Sequence, residues 1–190
     1  MISRFKLQIG SGFALLLSLL IFLGRERLLV CLLAACAVHE AGHIAAIFIT
    51  GGQIESITLG FTGISIKRAM SQNGYLYEAA VAGAGPAAGL LFAAAASRFN
   101  GGEMTAGISL CLSVINLMPC APLDGGIILD SLISNRFGPC VSRRVIQVSS
   151  YITSLILLSA AILSAINGFG LLPMITGTWL LIYTIKNHGT

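Results

Sequence analysis

Charge is scarce in this sequence. Lysine and arginine number 11 and aspartate and glutamate 7 in 190 residues, 9% of the chain, against 56% apolar residues. Ordinary soluble domains carry about 25% charged residues, and a globule of this length could not cover its surface with so few. The composition therefore points away from a soluble fold and toward an integral membrane protein. Paired cysteines are missing too. Cys31, Cys36, Cys111, Cys120 and Cys140 form no CxxC motif, so no disulfide framework is implied. Most of them sit in or beside apolar runs, where a thiol behaves as a small apolar group. There is no internal repeat, low-complexity tail or appended polar domain, and a single domain over residues 1–190 is expected. The first apolar run ends in "GRER" with no small-x-small cleavage site, which favours an uncleaved span over a signal peptide.

What the chain has instead is long apolar runs. Residues 7–24 lie between Lys6 and Arg25, and residues 28–50 follow Arg27. Residues 76–97 end at Arg98, and residues 104–118 are shorter and lead into prolines. Residues 145–166 and 169–185 complete the set. Each is near the roughly 20 residues a helix needs to cross a bilayer. The expected fold is an all-α multi-pass membrane protein of about six spans. Lysine and arginine orient it. With the N-terminus inside, Arg4, Lys6, Lys67, Arg68, Arg136, Arg143, Arg144 and Lys186 are cytoplasmic, and Arg25, Arg27 and Arg98 are outside. Both termini are thus expected in the cytoplasm. The net charge of +4 is accounted for by topology, and no nucleic-acid partner is expected.

The segment "QIESITLGFTGISIKR" breaks the helical pattern. Ile57, Leu59 and Phe61 alternate with Thr58, Gly60 and Thr62, and Ile64 and Ile66 alternate with Ser65 and Lys67. Period-two alternation about Thr62-Gly63 predicts a small β-hairpin after the second span. In the third span, "GAGPAAG" offers small residues that let another backbone approach, a packing feature with no catalytic role assigned.

The chemistry is concentrated in "HEAGH". His39 and His43 are four residues apart and share one helix face, with Glu40 beside them. H-E-x-x-H on a helix is a zinc-hydrolase pattern, with two histidine ligands and a glutamate general base. An intramembrane histidine can also be a hydrogen-bonded packing residue. Three ionisable groups within five residues go further, since a charge at a span centre costs on the order of 2.5–3.5 kcal/mol on insertion scales. Catalytic zinc usually takes three protein ligands. The remaining histidine, His188, is almost at the C-terminus, so the third ligand is sought in "NLMPCAPLDGG". Asp124 follows two prolines and precedes two glycines, and such bent backbone at membrane depth belongs where it is buried or lines a wet cavity. Cys120 is the rival, because thiolates bind zinc well. Asp130 reads as a helix or loop partner. Asp124 falls near the cytoplasmic end of the fourth span, which sets the expected site toward the cytoplasmic side.

"HEAGH" followed by "NLMPCAPLDGG" resembles the site-2 protease family of intramembrane zinc metalloproteases, closest to a compact bacterial branch that processes a membrane-tethered pro-sigma factor in sporulation. The resemblance implies a bacterial cytoplasmic membrane and one Zn2+ per chain, held by His39, His43 and Asp124. It implies Glu40 as the catalytic glutamate and Asn116 as a residue that positions substrate or stabilises the oxyanion. It also implies a hairpin (Ile57, Leu59, Phe61, Ile64, Ile66) that pairs with an unwound substrate segment, a mode that suits strand addition to an exposed edge. Neither the PDZ domain nor the CBS domain of other branches is recognisable. Ile127 stands where many relatives carry a basic or polar residue. The implied partners are a membrane-embedded protein substrate, the lipid bilayer and a regulatory membrane protein. Two other classes compete. An ion or metal transporter would spread polar residues along several spans, whereas here they cluster at one depth. A catalytically inactive scaffold would have no need of Glu40.

Overall fold

The computed structural model describes residues 6–9, 26–51, 54–60, 63–68, 74–167, 178 and 180–186. In chain order these form β1 (Lys6–Ile9), α1 (Glu26–Ile49), β2 (Ile54–Gly60), β3 (Gly63–Arg68), α2 (Tyr75–Ala96), α3 (Glu103–Asn116), α4 (Asp124–Phe137) and α5 (Pro139–Ile166), with residues 180–186 also helical. The chain divides into two compact units, one of residues 1–73 and 83–115, the other of residues 74–82 and 116–190.

In the first unit, α1 is apolar over most of its length with no separate polar face, as a helix is when lipid or protein surrounds it. Glu26 sits in its first turn, where the helix dipole favours an anion. Gly51, at φ 75°, closes its end, donating its N–H to Phe48 O at 3.1 Å. Small residues let the neighbouring helices approach. A Cβ on Gly42 of α1 would stand 2.5 Å from Ala84 O and 2.7 Å from Ala88 Cβ of α2. A Cβ on Gly89 of α2 would collide with Ser113 Oγ of α3. Ser109 Oγ donates to Gly89 O at 2.9 Å, and Ser113 Oγ donates to Ser109 O at 2.8 Å. Arg27 Nη2 donates to Gly101 O at 3.0 Å, and Thr105 Oγ1 donates to Cys31 Sγ at 3.2 Å. These bonds tie α1 to the loop before α3 and to α3 itself.

The same unit holds a three-stranded sheet in the order β1-β2-β3. β2 and β3 pair antiparallel, with Ile57 opposite Ile66 and Leu59 opposite Ile64. β1 pairs parallel with β2, Leu7 opposite Ile57 and Ile9 opposite Leu59. Residues 7–9 were expected to begin the first membrane span, and they form a strand instead. A short apolar stretch has no periodicity of its own, and here β2 supplies the backbone partners that a helix would otherwise provide.

In the second unit α4 and α5 are joined at Gly138, φ 85°. Ser142 Oγ donates to Asp130 Oδ1 at 2.6 Å and lies 3.0 Å from Asp130 O, so Asp130 serves as a helix partner. α5 starts at Pro139 rather than at the expected residue 145, because proline suits the first helical position, where no N–H is needed.

Burial is inverted relative to a water-soluble core. Ser109, Ser113, Ser142, Ser150, Ser154 and Thr184 are fully buried, while Phe48, Leu91, Ile152, Leu155 and Ile156 are exposed. Small polar residues between helices and large apolar ones outside suit a hydrocarbon surround. Three helices among the described residues are long and apolar enough to cross a membrane: Glu26–Ile49, Tyr75–Ala96 and Pro139–Ser164. Glu103–Asn116 is apolar but shorter. The expected spans at 7–24 and 169–185 lie largely outside the described residues.

Candidate metal centre

α1 carries "HEAGH" past its midpoint. At 1.5 Å per residue, His39 is about 20 Å from Glu26 and about 15 Å from Ile49. His39 is buried, 4% exposed, and His43 and Glu40 are partly buried. The i, i+4 spacing brings the two rings together. Their Nε2 atoms are 3.2 Å apart, and the rings stand edge to face with centroids 4.9 Å apart. Two nitrogens bound about 2.05 Å from one tetrahedral zinc would lie roughly 3.3 Å from each other. The imidazole pair already has that spacing.

α2 fixes one side of the pair. A Cβ on Gly85 would fall on the His43 ring, overlapping Nε2 and Cε1. Only the absence of a side chain at Gly85, within the "GAGPAAG" stretch, leaves space for the imidazole. Small residues at helical spacing signal close packing in a sequence, but nothing in their pattern says that the packed group is a histidine.

In the second unit, Asn116 closes α3 and Asp124 opens α4. The turn between them holds a cis Ala121–Pro122 peptide. The two glycines after Asp124 let the first turn of α4 lie against this segment. A Cβ on Gly125 would collide with Leu117 O and come 2.5 Å from Met118 O, and one on Gly126 would come 2.6 Å from Cys120 O and 2.8 Å from Ala121 N. "DGG" is therefore a packing requirement as well as a candidate ligand. Cys120, the rival ligand, is fully buried, with Sγ 3.8 Å from Ser150 O and 3.7 Å from Ser154 Oγ of α5. Its sulfur also donates to Ala121 O at 3.3 Å within the turn, so its contacts are to its own segment and to α5.

His39 and His43 of the first unit offer two imidazole nitrogens, and Asp124 of the second offers a carboxylate. Two imidazoles and a carboxylate are a zinc hydrolase's combination, so the donors fit the metal that the sequence implies. The hairpin positions stand differently. Phe61 lies outside the described residues. Ile57 and Leu59 are on the central strand, whose backbone faces β1 on one side and β3 on the other over residues 56–59. Ile64 and Ile66 are on the edge strand β3.

Residues 98–160 match Peptidase family M50. That segment contains Asn116 and Asp124 but not "HEAGH". No curated protein matches the chain. Among solved structures, the Site-2 Protease from Methanocaldococcus jannaschii shares the fold, with a TM-score of 0.71 and 20% sequence identity, covering 98% of this chain and 92% of that one. The chain resembles the site-2 protease family. The shared fold extends over almost the full length, so it takes in α1 as well as the M50 segment.

Proposed function

We propose that the chain is a zinc-dependent intramembrane endopeptidase that hydrolyses a peptide bond in or near the transmembrane segment of a membrane-tethered protein. The observation that carries this reading is the imidazole pair on a membrane-length helix, Nε2 to Nε2 3.2 Å, with Glu40 between the two histidines in sequence. The M50 match and the site-2 protease fold support it. His39, His43 and Asp124 are the proposed zinc ligands, and Glu40 the catalytic base. When bound, zinc supplies Lewis acidity, which polarises a peptide carbonyl and lets water lose a proton near neutral pH. The Glu40 carboxylate takes that proton as water attacks and returns it to the departing amine nitrogen. The Asn116 amide donates to the developing oxyanion. The edge strand β3, at Ile64 and Ile66, holds substrate backbone unwound from its helix, with Ile57 and Leu59 of the adjoining strand β2 belonging to the same substrate-binding element. Both termini lie in the cytoplasm, as the lysine and arginine distribution requires, and the site faces that side.

The test is Glu40→Gln in the purified chain, reconstituted with a membrane-tethered substrate. Zinc content by atomic absorption stays at the wild-type level, while cleavage falls by about 10²–10⁴-fold, the usual worth of a general base. Unchanged cleavage would sink the mechanism.

A further inference from the structure

The turn that presents Asp124 has few backbone donors with which to hold itself. Pro119 and Pro122 have no N–H, so between Pro119 and Leu123 only Cys120, Ala121 and Leu123 can donate. Cys120 N–H donates to Met118 O at 2.8 Å and Leu123 N–H to Cys120 O at 2.8 Å, both within the local segment. Ala121 N–H reaches outside it and donates to Ser150 Oγ of α5 at 3.0 Å. Ser150 is fully buried, and its carbonyl accepts from Cys120 Sγ at 3.8 Å. One residue of α5 thus meets two successive residues of the turn. One helical turn further on, Ser154 Oγ lies 3.3 Å from Thr184 Oγ1, also buried.

We propose that Ser150 is the positioning residue for the Asp124 carboxylate, acting through the Ala121 N–H···Oγ hydrogen bond. The proposal rests on the reading of Asp124 as a zinc ligand. The turn is clamped from two directions. Gly125 and Gly126 press the start of α4 onto residues 117–121, and Ser150 holds the amide three residues before the ligand. Without the hydroxyl, the part-buried Ala121 N–H loses its partner, and a donor left unpaired away from bulk water drives the backbone to rearrange. Metal ligation tolerates about 0.2 Å of error in ligand distance, so a small rotation of this turn is felt as lost affinity.

The experiment uses the full chain in detergent micelles and three readouts: zinc affinity by competition with a chromophoric chelator, thermal unfolding without metal, and hydrogen exchange at the Ala121 amide. Ser150→Ala weakens zinc binding by about tenfold, the lower end of the range for partners that orient metal ligands, and speeds Ala121 exchange. Ser154→Ala removes an equally buried hydroxyl from the same helix but no bond to the turn's backbone. It lowers the unfolding temperature comparably and leaves zinc affinity within about twofold of wild type, well short of that tenfold loss. Ser150→Cys, near-isosteric with a poorer acceptor, gives an intermediate loss and serves if the alanine variant does not fold. Asp124→Ala, measured alongside, loses zinc. If Asp124→Ala binds zinc like wild type, the ligand reading falls and this proposal with it. If Asp124→Ala loses zinc while Ser150→Ala and Ser150→Cys retain wild-type affinity, or while Ser154→Ala weakens zinc as much as Ser150→Ala does, the role of Ser150 alone is overturned.

Discussion

His43 has neighbours that leave its ring little freedom: His39 Nε2 lies 3.2 Å away on its own helix, and the backbone of Gly85 lies against it from α2. The first neighbour is written in the i, i+4 spacing of "HEAGH", because helix geometry alone places those side chains on one face. The second is not, because contact with Gly85 depends on how α1 and α2 are set against each other. Gly85→Ala should displace the imidazole and weaken zinc binding on the order of tenfold, as seen when groups that orient ligands are altered; equilibrium dialysis against zinc measures it. Cys120→Ala should act differently. The sulfur lies between Ser150 O and Ser154 Oγ, so its loss should destabilise the chain by about 1–2 kcal/mol in chemical unfolding and leave zinc content at the wild-type level. Loss of zinc from that variant would revive Cys120 as the ligand.

At the level of elements, the start of α4 was the more legible feature. Two prolines prevent a regular helix through 119–122, and the two glycines after Asp124 signal close backbone approach, which the structure shows to be against residues 117–121. Gly126→Ala should therefore cost about 1–3 kcal/mol through overpacking, read as a lower unfolding midpoint, because Cys120 C and O and Ala121 N, all backbone atoms within 2.8 Å of the added Cβ, cannot swing aside. β1 was the least legible element. Residues 6–9 are continuous with an apolar run, and only their pairing with a strand far along the chain makes them β. The same pairing decides that β2 is central and β3 an edge, a distinction that alternation within 54–66 does not contain.

For the whole molecule, the inverted burial and three membrane-length helices agree with a composition of 9% charged residues. Orientation is the prediction at this scale. In a chain stripped of its native cysteines, Asn100→Cys, next to Arg98 and following α2, should react with a membrane-impermeant maleimide added to intact cells. His188→Cys should react only after the cells are opened. The reverse pattern would overturn the positive-inside assignment.

The sequence by itself determined the class of solvent this protein lives in, the helix that carries His39, Glu40 and His43, and the donor types within reach of a metal. Composition and i, i+4 spacing act over a few residues and do not depend on what packs where. Only the tertiary structure decided that Gly85 makes room for His43, that Ser150 holds the turn before Asp124, and that Cys120 faces α5. Those are contacts between elements distant in the chain, set by the packing of helix on helix, where one missing methyl group or one buried hydroxyl decides what fits.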